Sequence, residues 1–177
     1  MKTVSSTKTV VTEIIEPGDA NFLGKAFGGA ILSKIDLCAY ATAFRFSGMV
    51  CVTASFDRVD FHEPIDVGEL VSLEGLVTYV GRTSLEITIE VYAENLMTAK
   101  RRHTNTARVT MVALKDGKPC PVPRLICESR EDKIRFLEGQ MRRDLRRVQR
   151  LELEERLAGL HSASDEDLDM LLKRISG

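Results

Sequence analysis

The segment NFLGKAFGGAILSKIDLCAYATAF, residues 21–44, decides how the rest of the chain must be arranged. From Phe27 onward it is built of helix-forming, core-type residues, lacks proline and opens on Gly28 and Gly29, so it is predicted to be one long helix. Its end is expected near Ser47 and Gly48, where glycine can terminate a helix. Such a helix is apolar nearly all round and has to be covered on most sides. One residue conflicts with that demand: Asp36 sits between Ile35 and Leu37. Removing an ionised carboxylate from water without a partner costs several kcal/mol. Either Asp36 lies at a polar seam or pairs with Lys34 or Arg45, or it is held in a cleft as a base or nucleophile.

The cover for the helix is read from the flanking segments. Residues 8–15 (KTVVTEII) are short and β-branched, as a first strand is. The loop that follows carries turn residues Pro17, Gly18, Asp19 and Gly24. After Gly48 the period changes to two, with predicted strands over 50–61, 69–81, 83–95 and 101–119. In the first of these Val50, Val52, Ala54 and Phe56 share one side. In the third, Leu85, Ile87, Ile89 and Val91 alternate with Glu86, Thr88, Glu90 and Tyr92. A short Gly81-Arg82 connection predicts a tight antiparallel hairpin, and Asp116-Gly117 a second turn. The expected fold is α+β: a long central helix wrapped by a curved antiparallel sheet of about five strands.

Past Pro123 the composition shifts, which places an expected boundary between a domain at 1–123 and a helical C-terminal extension at 124–177. Residues 128–160 are charge-dense, with Ile134, Leu137, Met141, Leu145 and Val148 at helical spacing. The basic block RRDLRR (142–147) runs directly into LELEER, as on a solvated amphipathic helix rather than a binding patch. Ser164, three residues before Asp167, predicts the start of a last short helix.

The 25 basic and 26 acidic residues leave a net charge of −1, which gives no footing for nucleic acid. The most apolar stretch is interrupted by Lys34 and Asp36, short of the roughly 20 apolar residues a membrane span needs, and the N-terminus lacks the apolar centre of a signal peptide. Cys38, Cys51, Cys120 and Cys127 form no ligand cluster, and no metal site is expected. A cytoplasmic location follows as the default.

His62, His103 and His161 lack metal-ligand spacing, and there is no G-x-S-x-G elbow, P-loop or G-x-G-x-x-G. The glycine pair is more informative. Gly28 and Gly29 at a helix start leave backbone N–H groups uncovered and aimed by the positive end of the helix dipole, an arrangement suited to an anion or oxyanion. With the amide of Asn21 before it and Asp36 two turns on, this makes an electrophile-plus-base set; glycine used for close helix–strand packing is the alternative.

These residues resemble the opening motif of the hotdog-fold acyl-coenzyme A thioesterases, the cytosolic acyl-CoA hydrolase family. Its pattern is complete in Asn21, Gly24, Gly28, Gly29 and Asp36. Residues 61–71 (FHEPIDVGELV) are similar to the family's Phe-x-x-Pro-x-x-x-Gly-Asp segment, with Glu69 where Asp is usual, and residues 81–91 and 101–114 also fit. The resemblance covers about residues 8–123. It implies subunits paired so that their sheets run on, sites at the dimer interface, and a hexamer built as a trimer of dimers.

The resemblance further implies that Asn21 of one subunit works with Asp36 of its neighbour on the thioester of a fatty acyl-CoA. Asp36 would activate water or attack the carbonyl, and backbone amides at Gly28 and Gly29 would hold the oxyanion. Coenzyme A would be met by Arg58, Arg82, Thr83, Ser84, Arg102 and Thr106, of which Arg102 with Thr106 matches a recurring family spacing. Coenzyme A belongs to substrate and product, so no separate cofactor is expected. A non-catalytic acyl-CoA-binding regulator is the alternative. A hotdog dehydratase is disfavoured, because His62 and His103 fall outside the central helix.

Overall fold

A computed structural model describes residues 2–57 and 59–175. In chain order the elements are β1 (Lys2–Thr3), β2 (Thr9–Ile14), α1 (Gly28–Ser47), β3 (Val50–Phe56), β4 (Leu70–Val80), β5 (Ser84–Asn95), β6 (Lys100–Lys115), β7 (Lys118–Pro119), β8 (Leu125–Ile126), α2 (Arg130–Ser162) and α3 (Asp165–Ile175). Short 3-10 turns at Ser5–Thr7 and Pro17–Asp19 flank β2. The main sheet runs β2-β4-β5-β6-β3, antiparallel throughout, with β7 added to β6. A parallel β1–β8 pair, which local periodicity did not announce, forms a second sheet. Among the described residues no helix is long and apolar enough to cross a membrane.

α1 lies across this sheet and touches all five strands of its main path. Ile31, Ile35, Cys38, Ala39, Thr42 and Phe46, spaced by three and four, point into it and are buried. They meet the inward residues of β5, Leu85, Ile87, Ile89, Val91 and Ala93, all with no exposed surface. Each fully buried Ile or Phe contributes about 1.5–3 kcal/mol. The helix ends where expected, because Gly48 adopts the left-handed conformation (φ 71°) and its N–H closes on the Phe44 carbonyl.

The opposite side of α1 is bare. Leu37, Tyr40 and Phe44 are 64, 39 and 44% exposed, and β3, an edge strand, exposes Val50, Val52 and Phe56. The side of β3 that carries the valines therefore faces away from the core, while Cys51 is buried. The strand stops at Phe56 rather than continuing to residue 61: a register shift between Thr53 and Ser55 breaks the alternation, and the chain leaves the ladder at Asp57.

The chain divides into two compact units, Met1–Gly139 and Gln140–Gly177. The first extends past the expected boundary at 123/124 because the start of α2 packs on β4. The Phe136 ring lies 5.0 Å from that of Tyr79, and a Cβ on Gly139 would stand 2.5 Å from the Tyr79 Cβ. The second unit holds the remainder of α2 and α3. Leu145, Val148 and Leu151 are exposed on α2, and Ser164 caps α3 by accepting from the Asp167 N–H at 3.2 Å.

Gly75 fixes how closely α1 approaches the sheet. A Cβ there would lie 2.5 Å from Thr42 Oγ1 and 3.2 Å from Cys38 Sγ. Gly75→Ala is expected to lower stability by about 1–3 kcal/mol in chemical denaturation, with part of the loss recovered in Gly75→Ala/Thr42→Ala. A midpoint for Gly75→Ala equal to wild type would show that the helix does not bear on this strand.

Candidate active site

The loop before α1 is set by backbone bonds rather than by a hydrophobic plug. Asn21 N–H donates to the Lys25 carbonyl at 2.7 Å, and its side-chain Oδ1 accepts from the N–H groups of Leu23 (2.9 Å) and Lys25 (3.2 Å). Two donors on one oxygen fix the amide's orientation, so Nδ2 is turned away, and among the described residues it has no hydrogen-bond acceptor. Asn21 borders a cleft of about 420 Å³, together with Gly28, Ile31, Phe61, Glu63 and Ile65. Phe27 caps α1 without a side-chain bond, and the N–H groups of Gly28 and Gly29 make no hydrogen bond among the described residues. Gly28 leaves room for the Phe61 ring, 3.7 Å from where its Cβ would be.

Asp36 is not in this cleft. It lies roughly 12 Å further along α1, at 1.5 Å per residue, on the border of the bare side. Thr53 Oγ1, on β3, donates to its Oδ1 at 2.5 Å. The pairings with Lys34 or Arg45 do not form. Lys34 bridges Glu13 (2.9 Å) and Asp19 (3.5 Å), and Arg45 reaches Thr9 Oγ1 at 3.4 Å. Burial works to lower the Lys34 pKa, but its two carboxylate partners outweigh that and hold it raised. Asp36 is thus oriented by a hydroxyl, and among the described residues no ion pair is formed by it.

Thr53, the hydrogen-bond partner of Asp36, is a residue the sequence reading missed. Its signal was its position: it alternates with the valines of β3 and so faces the helix, where a polar residue needs a partner. The four cysteines stand apart from this chemistry. Burial pushes the Cys38 thiol up to about 11, and its Sγ donates to the Leu73 carbonyl at 3.7 Å.

The residues expected to meet coenzyme A do not converge in one chain. Arg58 lies outside the described residues. Arg82, Thr83 and Ser84 form the β4–β5 hairpin, where Arg82 is exposed and, among the described residues, has no carboxylate partner. Along β5 this hairpin is roughly 30 Å from Arg102, at about 3.4 Å per residue. A register shift between Val91 and Tyr92 sets Arg102 opposite Ala93 on the inner side of the sheet, while Thr106 lies opposite Glu90 on the outer side. Thr106 Oγ1 donates to Glu90 Oε2 at 2.7 Å. Arg102 grips Glu69 with two hydrogen bonds of 2.7 Å. Those bonds hold the Glu69 carboxyl below the usual carboxylate range, against a smaller upward push from burial.

A family model described as the thioesterase superfamily matches residues 23–100. An uncharacterized acyl-CoA thioester hydrolase of Bacillus subtilis, YkhA, is 43% identical over 71% of this chain and 73% of its own. The chain belongs to the thioesterase superfamily. Its helix and enclosing antiparallel sheet are the hotdog fold of that family. An acyl-CoA hydrolase of Staphylococcus aureus, solved with butyryl coenzyme A, is 30% identical with a TM-score of 0.79, over 90% of this chain and 98% of that one. A hexameric acyl-CoA thioesterase, solved without ligand, is 38% identical with a TM-score of 0.79, over 84% of this chain and 97% of that one. Alanine variants of the S. aureus protein have been solved at an asparagine, an aspartate and a threonine, and those positions have the same mutual spacing as Asn21, Asp36 and Thr53.

The Glu69 shift has a defined sign. A carboxyl with a depressed folded-state pKa adds stability that is present above its unfolded value, about 4.3, and is lost as pH falls through the folded value. Glu69→Gln is therefore expected to be less stable than wild type at pH 7, with the gap closing as pH drops below about 4. Urea midpoints measured from pH 7 to pH 3 check this; a gap that stays constant with pH would contradict it.

Proposed function

We propose that this chain hydrolyses the thioester of fatty acyl-CoA to the free acid and coenzyme A, at a site completed by two copies. Asp36 of one subunit acts as general base or nucleophile, and Asn21 of its neighbour orients the thioester or the water. The general activity has the support of the thioesterase family and of relatives named acyl-CoA hydrolases. The observation that carries the two-copy reading is the separation of the site into halves. The cleft at Asn21 and Gly28 holds N–H donors but not Asp36, which stands about 12 Å further along α1 with its Thr53 partner, on the border of the bare side.

A second copy laid against Leu37, Tyr40, Phe44 and the exposed edge of β3 would bury that apolar surface and extend the sheet. It would also carry an Asp36 towards the cleft, across a two-fold axis. The hexameric relative supports a homo-oligomer, and a trimer of such dimers is the assembly we assign.

In this scheme the thioester carbonyl accepts from Asn21 Nδ2, and charge developing on its oxygen is met by the N–H groups of Gly28 and Gly29 at the positive end of α1. Asp36, aligned by the Thr53 hydroxyl, takes the proton of an attacking water, or adds to the carbonyl itself to form an anhydride that water then hydrolyses to the free acid. Coenzyme A leaves as the thiolate and takes up a proton. Arg82, with Thr83 and Ser84, supplies the cation we assign to its phosphates, and no further cofactor enters.

Thiol release from acyl-CoAs of graded chain length tests the scheme. Wild type is expected to turn over, Asp36→Asn to lose about a hundredfold or more in kcat, and Asn21→Ala to lose activity while still folded. Near wild-type turnover in Asp36→Asn would remove this carboxylate from the mechanism. A wild type that binds acyl-CoA and releases no thiol would instead identify an acyl-CoA-binding regulator.

A further inference from the structure

Residues 61–65 line one wall of the cleft, within a segment, 59–65, that belongs to no helix or strand. Its backbone is tied to β6 by the His62 N–H, which donates to the Thr104 carbonyl at 3.2 Å, but no continuous ladder runs along it. Arg102 supplies much of the remaining hold. Its guanidinium donates from Nη1 to Glu69 Oε1 and from Nη2 to Glu69 Oε2, both at 2.7 Å, and from Nη2 to the Pro64 carbonyl at 2.7 Å. Its Nε lies 3.0 Å from Glu63 Oε2. Three of the five N–H donors of the fork are thus hydrogen-bonded and Nε is in an ion pair with Glu63, three different loop residues being held at once.

The grip continues towards Asn21. Glu69, 4% exposed, also accepts the Asp66 N–H on Oε2 at 2.8 Å. The adjoining Ile65 carbonyl accepts the Ala26 N–H at 2.8 Å, and Lys25 forms an ion pair with Asp66. Lys25 in turn makes two of the three backbone contacts that orient Asn21, its carbonyl accepting the Asn21 N–H and its N–H donating to Oδ1 beside that of Leu23. An unbroken series of hydrogen bonds and covalent neighbours therefore joins the Arg102 guanidinium to the amide proposed to hold the thioester.

We propose that Arg102 is a positioning residue for Asn21: clamped on Glu69 and Pro64, it fixes the 59–66 wall and, through Ile65 and Lys25, the orientation of the Asn21 amide. The inference rests on the functional reading above, and it gives Arg102 a different task from a phosphate contact. With Glu63, Glu69 and Asp66 gathered around it, the guanidinium has little donor capacity left and sits among negative charge that repels a phosphate. The bidentate geometry also requires an arginine, since an ammonium is a point charge with no matching fork.

The test compares Arg102→Gln, Arg102→Lys, Glu69→Gln and the Arg102→Gln/Glu69→Gln double variant in steady-state thiol release at two salt concentrations. Each glutamine variant is expected to lower kcat about tenfold or more with KM within about twofold, and the double variant to be no worse than the singles. Arg102→Lys is expected to recover part of kcat, and the rise of KM with salt to match wild type. A raised KM with unchanged kcat and a flattened salt dependence in Arg102→Gln would make it a phosphate contact. Unchanged kcat in both single variants would make the clamp idle.

Glu69→Asp keeps the charge with a shorter reach and serves if the glutamine variants fail to fold; wild-type kcat there would likewise overturn the proposal. Amide exchange reads the clamp without catalysis. Arg102→Gln is expected to speed exchange in both 59–66 and 21–26, even if the wild type releases no thiol, and faster exchange confined to 59–66 would break the link to Asn21.

Discussion

The contact between α1 and β4 at Gly75 is the constraint from which the rest follows. With no side chain at that point, Thr42 and Cys38 sit directly on the strand. This depth of burial sends Ile31, Ile35 and Phe46 into the sheet and turns Leu37, Tyr40 and Phe44 outward. A helix apolar on nearly every side is thus covered on one side by its own chain. The remaining side continues into the exposed edge of β3, and Asp36 lies on that border. The carboxylate that is out of place in the sequence stands at the edge of the covered side, with the Thr53 hydroxyl as its partner.

Charge is distributed to match. Lys34 is taken by Glu13 and Asp19, Lys25 by Asp66 and Arg102 by Glu69, so the cations nearest the cleft brace loops. Asp36 receives a hydroxyl in place of a cation. Among the described residues the donors in the cleft are likewise left without acceptors: both protons of Asn21 Nδ2 and the N–H groups of Gly28 and Gly29.

Much of this was legible in the sequence. Helix α1 announced itself by composition, its end by Gly48, and β5 by clean alternation, because these depend on residues within a turn or two of one another. The glycine pair and Asn21 were legible for the same reason. Side-chain partners were not. Arg102 and Thr106 looked like a pair at a fixed spacing, but the irregularity opposite Val91 and Tyr92 sends them to opposite sides of the sheet. Thr53 meets Asp36 because β3 folds back along α1, a long-range fact that no local period encodes. The short β1–β8 pair and the packing of Gly139 on Tyr79 are of the same kind.

The central claim is that one site takes Asn21 and Asp36 from different subunits, and subunit mixing tests it most directly. Asn21→Ala and Asp36→Asn chains, each inactive alone, are co-expressed with different tags, and the mixed oligomer is purified and assayed for thiol release. A shared site predicts that each mixed dimer regains one intact site, so that random pairing returns about a quarter of wild-type activity. Mixed oligomers as inactive as either parent would contradict a site shared between subunits.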